Sequence, residues 1–282
     1  MKKFFLYFVG LIGILVVLSI ILTFMEGKGS SGQKIGVIYV EGIILKSDDI
    51  IDELKEYRDD DSIKAIILRV NSPGGAVVPS QEIYDEVRET IKKKKVVVSM
   101  GSLAASGGYY ISAPATKIIA NPGTLTGSIG VILELPNVKG LMEKIGVKNE
   151  VIKSGKYKDL ASVFREMGVE ERGILQNVMD DVHEQFIAAV AKGRKMPYEK
   201  VKELADGRIF TGRQALALGL VDSIGDLQFA VKETGKLAGI KGEPKIVSKK
   251  DELPIMRMLN NKISIIYNDI FSSMSLKYMI KL

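Results

Sequence analysis

Apolar residues along this chain fall into three kinds of pattern. The first is a single run, residues 4–25 (FFLYFVGLIGILVVLSIILTFM), 22 residues without a charge. A bilayer core takes about 20 helical residues to cross, so this run predicts one transmembrane helix. The second pattern is a series of short β-branched runs alternating with amphipathic stretches. It predicts strands over residues 35–40, 65–70, 96–100, 117–120, 129–132 and 150–152, and helices over 49–57, 79–93, 137–145 and 169–192. That alternation argues for βαβ units around a mostly parallel sheet. In the last of these helices Leu175, Val178, Val182, Phe186 and Val190 recur at three to four residues, the spacing of a core-facing stripe. The third pattern is the tail, residues 254–282. There Met258, Leu259, Ile263, Ile266, Ile270, Phe271 and Met274 share one helical face, with Arg257, Lys262 and Lys277 interspersed. A docking helix, a membrane-surface helix and a segment that covers an active site all fit the tail.

The boundaries of these patterns divide the chain. Residues 1–26 read as an N-terminal membrane anchor, 27–33 as a flexible linker (GKGSSGQ), 34–240 as one α/β domain and 241–282 as a C-terminal amphipathic tail. The apolar run ends in Thr23-Phe24-Met25-Glu26, without the small-x-small site of a cleaved signal peptide, so an uncleaved anchor is expected. Lys2 and Lys3 favour a cytoplasmic N-terminus, which places the domain outside the cell membrane as a single-pass protein; Lys28 weakens the asymmetry. Lys92 to Lys95 read as a solvated helix end near the negative pole of its dipole.

Composition narrows the chemistry. With no cysteine there is no disulfide framework, no thiolate metal site and no cysteine nucleophile. The net charge is +6, and from Leu227 onward ten Lys or Arg stand against five Asp or Glu, a bias that suits a membrane surface better than nucleic acid. No Walker loop, H-E-x-x-H, EF-hand loop or Cys/His cluster occurs, and no metal is expected. The only histidine, His183, lies beside the apolar stripe of the predicted helix 169–192, which argues against a Ser-His-Asp triad.

The segment with chemical promise is Gly101-Ser102-Leu103-Ala104-Ala105-Ser106-Gly107-Gly108-Tyr109-Tyr110, directly after an apolar strand. It puts Ser106 where a strand turns into a helix, with free backbone N–H groups nearby and small neighbours that let a substrate backbone approach. A tightly packed small-residue helix explains the same letters. A second loop, Asn71-Ser72-Pro73-Gly74-Gly75, also follows a strand and opens toward a helix; in an open α/β sheet both loops reach the carboxyl edge, where its glycines can aim N–H groups into a cleft. A serine nucleophile needs a base. Lys153-Ser154-Gly155-Lys156-Tyr157-Lys158-Asp159 supplies three lysines, and spacing does not choose among Lys153, Lys156 and Lys158. Any of them would need its pKa lowered by about 3 units from about 10.4 to act near neutrality.

Taken together, these segments resemble the bacterial signal peptide peptidase A family, serine peptidases of the ClpP/crotonase-like α/β fold of repeated ββα units. The resemblance runs from about Lys34 to Gly225 and rests on five blocks in order: N-S-P-G-G at 71–75, S-L-A-A-S-G-G-Y-Y at 102–110, L-T-G-S-I-G-V at 125–131, K-S-G-K-Y-K-D at 153–159 and A-D-G-R-I-F-T-G at 205–212. It implies Ser106 as nucleophile, Lys158 as general base, Ser128 as the serine that hydrogen-bonds that lysine, and Gly75 and Gly107 as the oxyanion hole. It further implies no cofactor, a homo-oligomeric ring or dome in which a neighbouring subunit can complete a site, and hydrophobic remnants of signal peptides as substrates at the membrane. One departure is visible: relatives commonly read G-S-P-F-R after the lysine, where this chain has Ala161-Ser162-Val163-Phe164-Arg165. Rival readings are a stomatin-associated Ser-Lys protease, an acyl-CoA enzyme of the crotonase fold and a non-catalytic membrane scaffold.

Overall fold

The structure is a computed structural model; it describes residues 33–249 and the backbone of residues 277–279. The predicted anchor at 4–25 and most of the tail lie outside the described residues. Among the described residues no helix is long and apolar enough to cross a membrane.

Strands β1 (Lys34–Glu41), β2 (Ile63–Ser72), β4 (Lys95–Ala105) and β5 (Lys117–Ala120) carry the β-branched runs. They are nearly continuous in apolar residues because helices cover both faces of a parallel sheet. With β6 (Leu125–Gly127), β7 (Ile209–Thr211), β8 (Ser223–Ile224) and β9 (Lys245–Val247) they form one sheet, in the order β7-β6-β4-β2-β1-β9, with β5 and then β8 branching from β4. Every pairing is parallel except β6 with β7. A short strand β3 (Gly74–Ala76) stands apart and pairs antiparallel with β10 (Lys277–Met279).

The branch at β4 positions everything that follows. Its first half, Val97–Ser99, pairs with β5, and its second half, Leu103–Ala105, pairs with β6. Against β2 the register shifts between Val70 and Ser72, so Ser72 faces Ala104. Such an irregularity bends a strand and re-aims its end. The helices are α1 (Asp48–Asp59), α2 (Val77–Thr90), α3 (Gly107–Ser112), α4 (Lys139–Lys144), α5 (Val169–Arg194), α6 (Tyr198–Leu204), α7 (Gly212–Leu218) and α8 (Leu227–Leu237). The main core gathers β1, β2, β4, α2, α3 and the second half of α5. Within it Tyr84, Tyr110 and Phe186 stack as tilted neighbours, with centroids 5.0 and 4.8 Å apart.

Four expectations change. Residues 129–132 form no strand; pairing sits earlier, at Leu125–Gly127, because Ser128 adopts φ 51° and leaves the ladder. Residues 150–152 are not a strand either: Ile152 is fully exposed, and among the described residues no strand pairs with them. Along α5 the predicted stripe is buried only from Val182 onward. Leu175 is half-buried and Val178 exposed, since the first turns of α5 project past the core. Finally, Lys277, interspersed in a tail read as helical, lies in a strand. The lysine run does lie at a helix end: Lys92 pairs with Glu89, Lys93 with Asp59, and Lys94 Nζ donates to the carbonyls of Tyr57 and Asp60.

Candidate active site

Ser106 sits at the single residue between β4 and α3, with φ 53° and ψ −117°. A side chain there is strained, at a cost of about 1–3 kcal/mol, and such strain persists only where the surroundings over-determine it. The constraints are visible. Ser106 N–H donates to the carbonyl of Gly127 at 2.8 Å, and its own carbonyl accepts from Tyr110 N–H at 2.8 Å. Below it α3 is buried along its whole length, and the Tyr109 hydroxyl donates to the carbonyl of Leu220 at 2.8 Å. The Ser106 hydroxyl is buried and meets no hydrogen-bond partner among the described residues. Burying a hydroxyl without a partner costs about 1–3 kcal/mol, an expense that a purely structural serine has no reason to carry.

The two glycine-bearing loops meet at this residue. A Cβ on Gly107 would lie 3.1 Å from both the Gly74 Cα and the Gly75 nitrogen, and 2.7 Å from Ser80 Oγ; one on Gly108 would lie 2.9 Å from the Ser72 carbonyl oxygen. Only glycine allows this approach. Gly75 is equally constrained on its other side, where a Cβ would come within 2.0 Å of the Ile44 carbonyl oxygen. The Gly75 and Gly107 backbones thus stand side by side next to Ser106.

Ser128 reaches the same place by register. Ala105 pairs with Gly127, so Ser106 and Ser128 leave adjacent strands at the same level, both with positive φ. Gly127 itself has φ 80°, and a side chain there would strike the Phe210 ring at 2.6 Å. Ser128 N–H donates to the carbonyl of Arg208 at 2.8 Å, fixing the turn from the β7 side.

Lys158 makes no hydrogen bond to the Ser106 hydroxyl. It is exposed, on a turn closed by its N–H to the carbonyl of Gly155 at 3.2 Å. The other two candidates are engaged elsewhere: Lys153 with Asp159, and Lys156 with Glu170. Arg165 ties this loop down. Its Nε donates to Asp159 Oδ2 at 2.9 Å and its Nη1 to Glu171 Oε2 at 2.8 Å, while Glu171 also accepts from Gly168 N–H at 2.8 Å. The Arg165 hydrogen bonds hold Asp159 well below the usual carboxylate range and, with the Gly168 N–H, bring Glu171 down to about 2. The loop therefore keeps an anchor despite lacking the glycine and proline common at 161 and 163.

His183 is half-buried on α5, and its Nε2 meets no hydrogen-bond partner among the described residues, Ser106 included. Several supporting residues carry no catalytic signal in the sequence. Asn71 Oδ1 accepts from Leu103 N–H at 3.2 Å and joins the two loops; Ser72 Oγ accepts from Gly74 N–H at 3.0 Å; Thr124 Oγ1 donates to the Gly101 carbonyl at 2.7 Å, tying down β4 five residues before Ser106. Asn71 and Ser72 lie in the N-S-P-G-G block, where an Asx or Ser turn before glycines is the only local hint.

Several families and proteins resemble this chain in sequence. The sequence matches the model of peptidase family S49 over residues 88–241 and that of the Clp proteases over residues 37–124. A putative protease of Synechocystis sp. is 46% identical over 235 residues, covering 82% of this chain and 84% of that protein. A putative protease of Methanocaldococcus jannaschii is 41% identical, over 70% of this chain and 62% of its own length. A putative signal peptide peptidase of Enterococcus faecium is 38% identical over 253 residues, 84% of this chain and 73% of the relative.

Proposed function

We propose, for a chain that belongs to peptidase family S49 and is a serine peptidase, that Ser106 is the nucleophile and Lys158 of a neighbouring copy its general base. The observation that carries this reading is the Ser106 hydroxyl: strained, buried, unpartnered, and flanked by the Gly75 and Gly107 backbones. No described residue hydrogen-bonds the Ser106 hydroxyl, so a base supplied by a neighbouring copy fits the site, and Lys158, exposed on the loop that carries the K-S-G-K-Y-K-D block, is the lysine to which the family resemblance assigns that role. The surface that would carry it to a neighbour is apolar. Leu141, Ile145, Val151, Ile152, Phe164 and Val169 are exposed around that loop, and Val169 keeps 91% of its surface. Isolated exposed apolar residues are ordinary, but a cluster of this kind marks a contact surface.

In the proposed reaction neutral Lys158 takes the Ser106 hydroxyl proton as Oγ bonds to the substrate carbonyl carbon. The Gly75 and Gly107 N–H groups stabilise the oxyanion, and Ser128 orients the lysine amine. Collapse breaks the C–N bond, with the lysine proton passing to the leaving amine. Water, deprotonated by the same lysine, then releases the acyl group from Ser106. No metal or organic cofactor takes part. Signal-peptide remnants and similar hydrophobic peptides at the membrane are the proposed substrates. The 22-residue uncharged run and the name of the Enterococcus relative, a putative signal peptide peptidase, support them, and the uncharged run also supports a single-pass membrane location with the catalytic domain outside.

Mixing two inactive variants tests the site. Ser106→Ala and Lys158→Ala chains are each expected to be inactive on a signal-peptide substrate. Co-assembled, they should recover activity, because a copy that retains Ser106 meets a copy that retains Lys158. Activity in either variant alone would refute the dyad, and no recovery in mixed oligomers would refute its assembly between copies.

A further inference from the structure

Between β2 and β4 the ladder is interrupted once. One residue, Asn71, stands on β2 between the paired Val70 and Ser72, whereas three, Gly101 to Leu103, stand on β4 between Met100 and Ala104. A bulge of this kind leaves backbone groups on the longer strand without their ladder partners. Side chains take them over. Arg69 Nη1 donates to the Met100 carbonyl at 2.9 Å, Thr124 Oγ1 donates to the Gly101 carbonyl at 2.7 Å, and Asn71 Oδ1 accepts from Leu103 N–H at 3.2 Å. Arg69 is the charged member of the three, and the same Nη1 also donates to Ser99 Oγ at 2.9 Å. It is half-buried, in register with Tyr39 on β1 and Ser99 on β4. Two residues back on this face of the sheet, Ile67 packs with Val231 of α8 and Val97 with Ala230. The opposite face belongs to α3, whose Tyr109 and Ile111 join Leu68, Val70 and Met100 in the main core.

The bulge sets the spacing on which the oxyanion site depends. Gly75 follows the end of β2 and Gly107 the end of β4, so the offset between these strands fixes how their two N–H groups stand to each other. From the bulge to Ser106 there are only Ala104 and Ala105, paired to β6, and Ser106 N–H is then held by the Gly127 carbonyl. A shift of β4 at Met100 is therefore passed straight to Ser106 and Gly107. We propose that Arg69 is a positioning residue of the Ser106 site: from the far face of the sheet it fixes the β4 bulge at Met100 and so keeps Ser106 and Gly107 at the level of Gly75. This inference rests on the reading of Ser106 as the nucleophile. Catalytic groups displaced by about 1 Å lose on the order of 100-fold in rate, so a small slip of the bulge is enough to be seen.

The test uses variants of the full chain. Arg69→Met keeps an apolar stem and deletes both hydrogen bonds. With a signal-peptide substrate it should lower kcat by about tenfold or more and leave KM within about twofold, because oxyanion donors act on the transition state. One nitrogen makes both bonds, an arrangement that an ammonium can copy, so Arg69→Lys should be at least about threefold faster than Arg69→Met. Arg58→Met, which deletes the ion pair with Glu86 between α1 and α2, controls for a merely structural loss: it should lower Tm and leave kcat within about twofold. Hydrogen–deuterium exchange over residues 100–107 should quicken in Arg69→Met and stay at the parent rate in Arg58→Met. A kcat for Arg69→Met within about threefold of the parent, an equal fall in Arg58→Met, or no gain in the lysine variant would overturn the proposal. Should Arg69→Met not fold, Arg69→Gln, whose amide stops short of the Met100 carbonyl, gives the same split: a lower kcat at constant KM supports the proposal and a parental kcat overturns it. Absence of cleavage by the parent would instead refute the peptidase reading of Ser106, and the exchange contrast would still decide whether Arg69 holds the bulge.

Discussion

Backbone strain at Ser106 makes a stability prediction that is separable from catalysis. Ser106→Ala and Ser106→Gly both delete the hydroxyl, so both lose the nucleophile and both relieve its unpaired burial. They differ in the backbone. Alanine keeps a Cβ at φ 53° and ψ −117°, whereas glycine occupies that region freely. Strain of about 1–3 kcal/mol is removed in the glycine variant. Against it stands about 0.5–1 kcal/mol for the extra freedom glycine loses on folding. The glycine variant should therefore be the more stable of the two by about 1 kcal/mol, which for a domain of this size raises Tm by about 2–4 °C. Thermal unfolding of the two full-length variants in the same detergent, followed by far-UV circular dichroism, measures the difference directly. A glycine variant that melts at or below the alanine variant would show that Ser106 is not held in a strained turn, and would remove one of the two physical arguments for its role.

Three further outcomes follow from the geometry. Gly107→Ala places a methyl 3.1 Å from the Gly75 nitrogen and should push the two loops apart, lowering kcat by about 100-fold or more with KM nearly unchanged; a kcat within about threefold of the parent would remove Gly107 from the oxyanion site. Asn71→Ala breaks the tie to Leu103 N–H and should cost about 1 kcal/mol of stability together with a fall in kcat, whereas a fall in stability alone would make Asn71 merely structural. The Asp159–Arg165–Glu171 cluster predicts a pH window. Both carboxyls are depressed in the folded state, so their contribution is complete above their ordinary values of 3.8 and 4.5 and is lost only as pH falls toward about 2. Between pH 6 and 10 the loop anchor is constant, and a rise of kcat/KM with pH in that range reports the general base. Arg165→Gln should lower the plateau without moving the midpoint; a midpoint moved by more than half a unit would mean that Arg165 acts on the base itself.

Much of the fold was legible because its signals are local. Strands β1, β2, β4 and β5 are runs of β-branched residues buried on both faces, and the run alone identifies them to within a few residues; β4 extends five residues past its predicted end only because β6 is there to pair with Leu103–Ala105. The predicted strand at 150–152 fails for the complementary reason. Its letters are right for a strand, but a strand is a property of two segments, and among the described residues no strand pairs with it. The stripe along α5 likewise records which residues are apolar, not which turns the core reaches.

The same division holds at the site. The sequence by itself determined that Ser106 stands between an apolar strand and a small-residue helix, that histidine and cysteine are not its partners, and that Gly74 and Gly75 lie in a second loop of similar design. Only the tertiary structure decided that the Gly75 and Gly107 backbones come too close for a side chain between them, that Ser128 exits its strand level with Ser106, and that Lys158 lies on an exposed turn and makes no hydrogen bond to the Ser106 hydroxyl. It also decided that residues 277–279 pair with β3. The physical reason is range: period, turn chemistry and charge act over a few residues and can be read from letters. Close approach of two backbones separated by about thirty residues depends on the register shift between β2 and β4, and so does the level at which each loop ends.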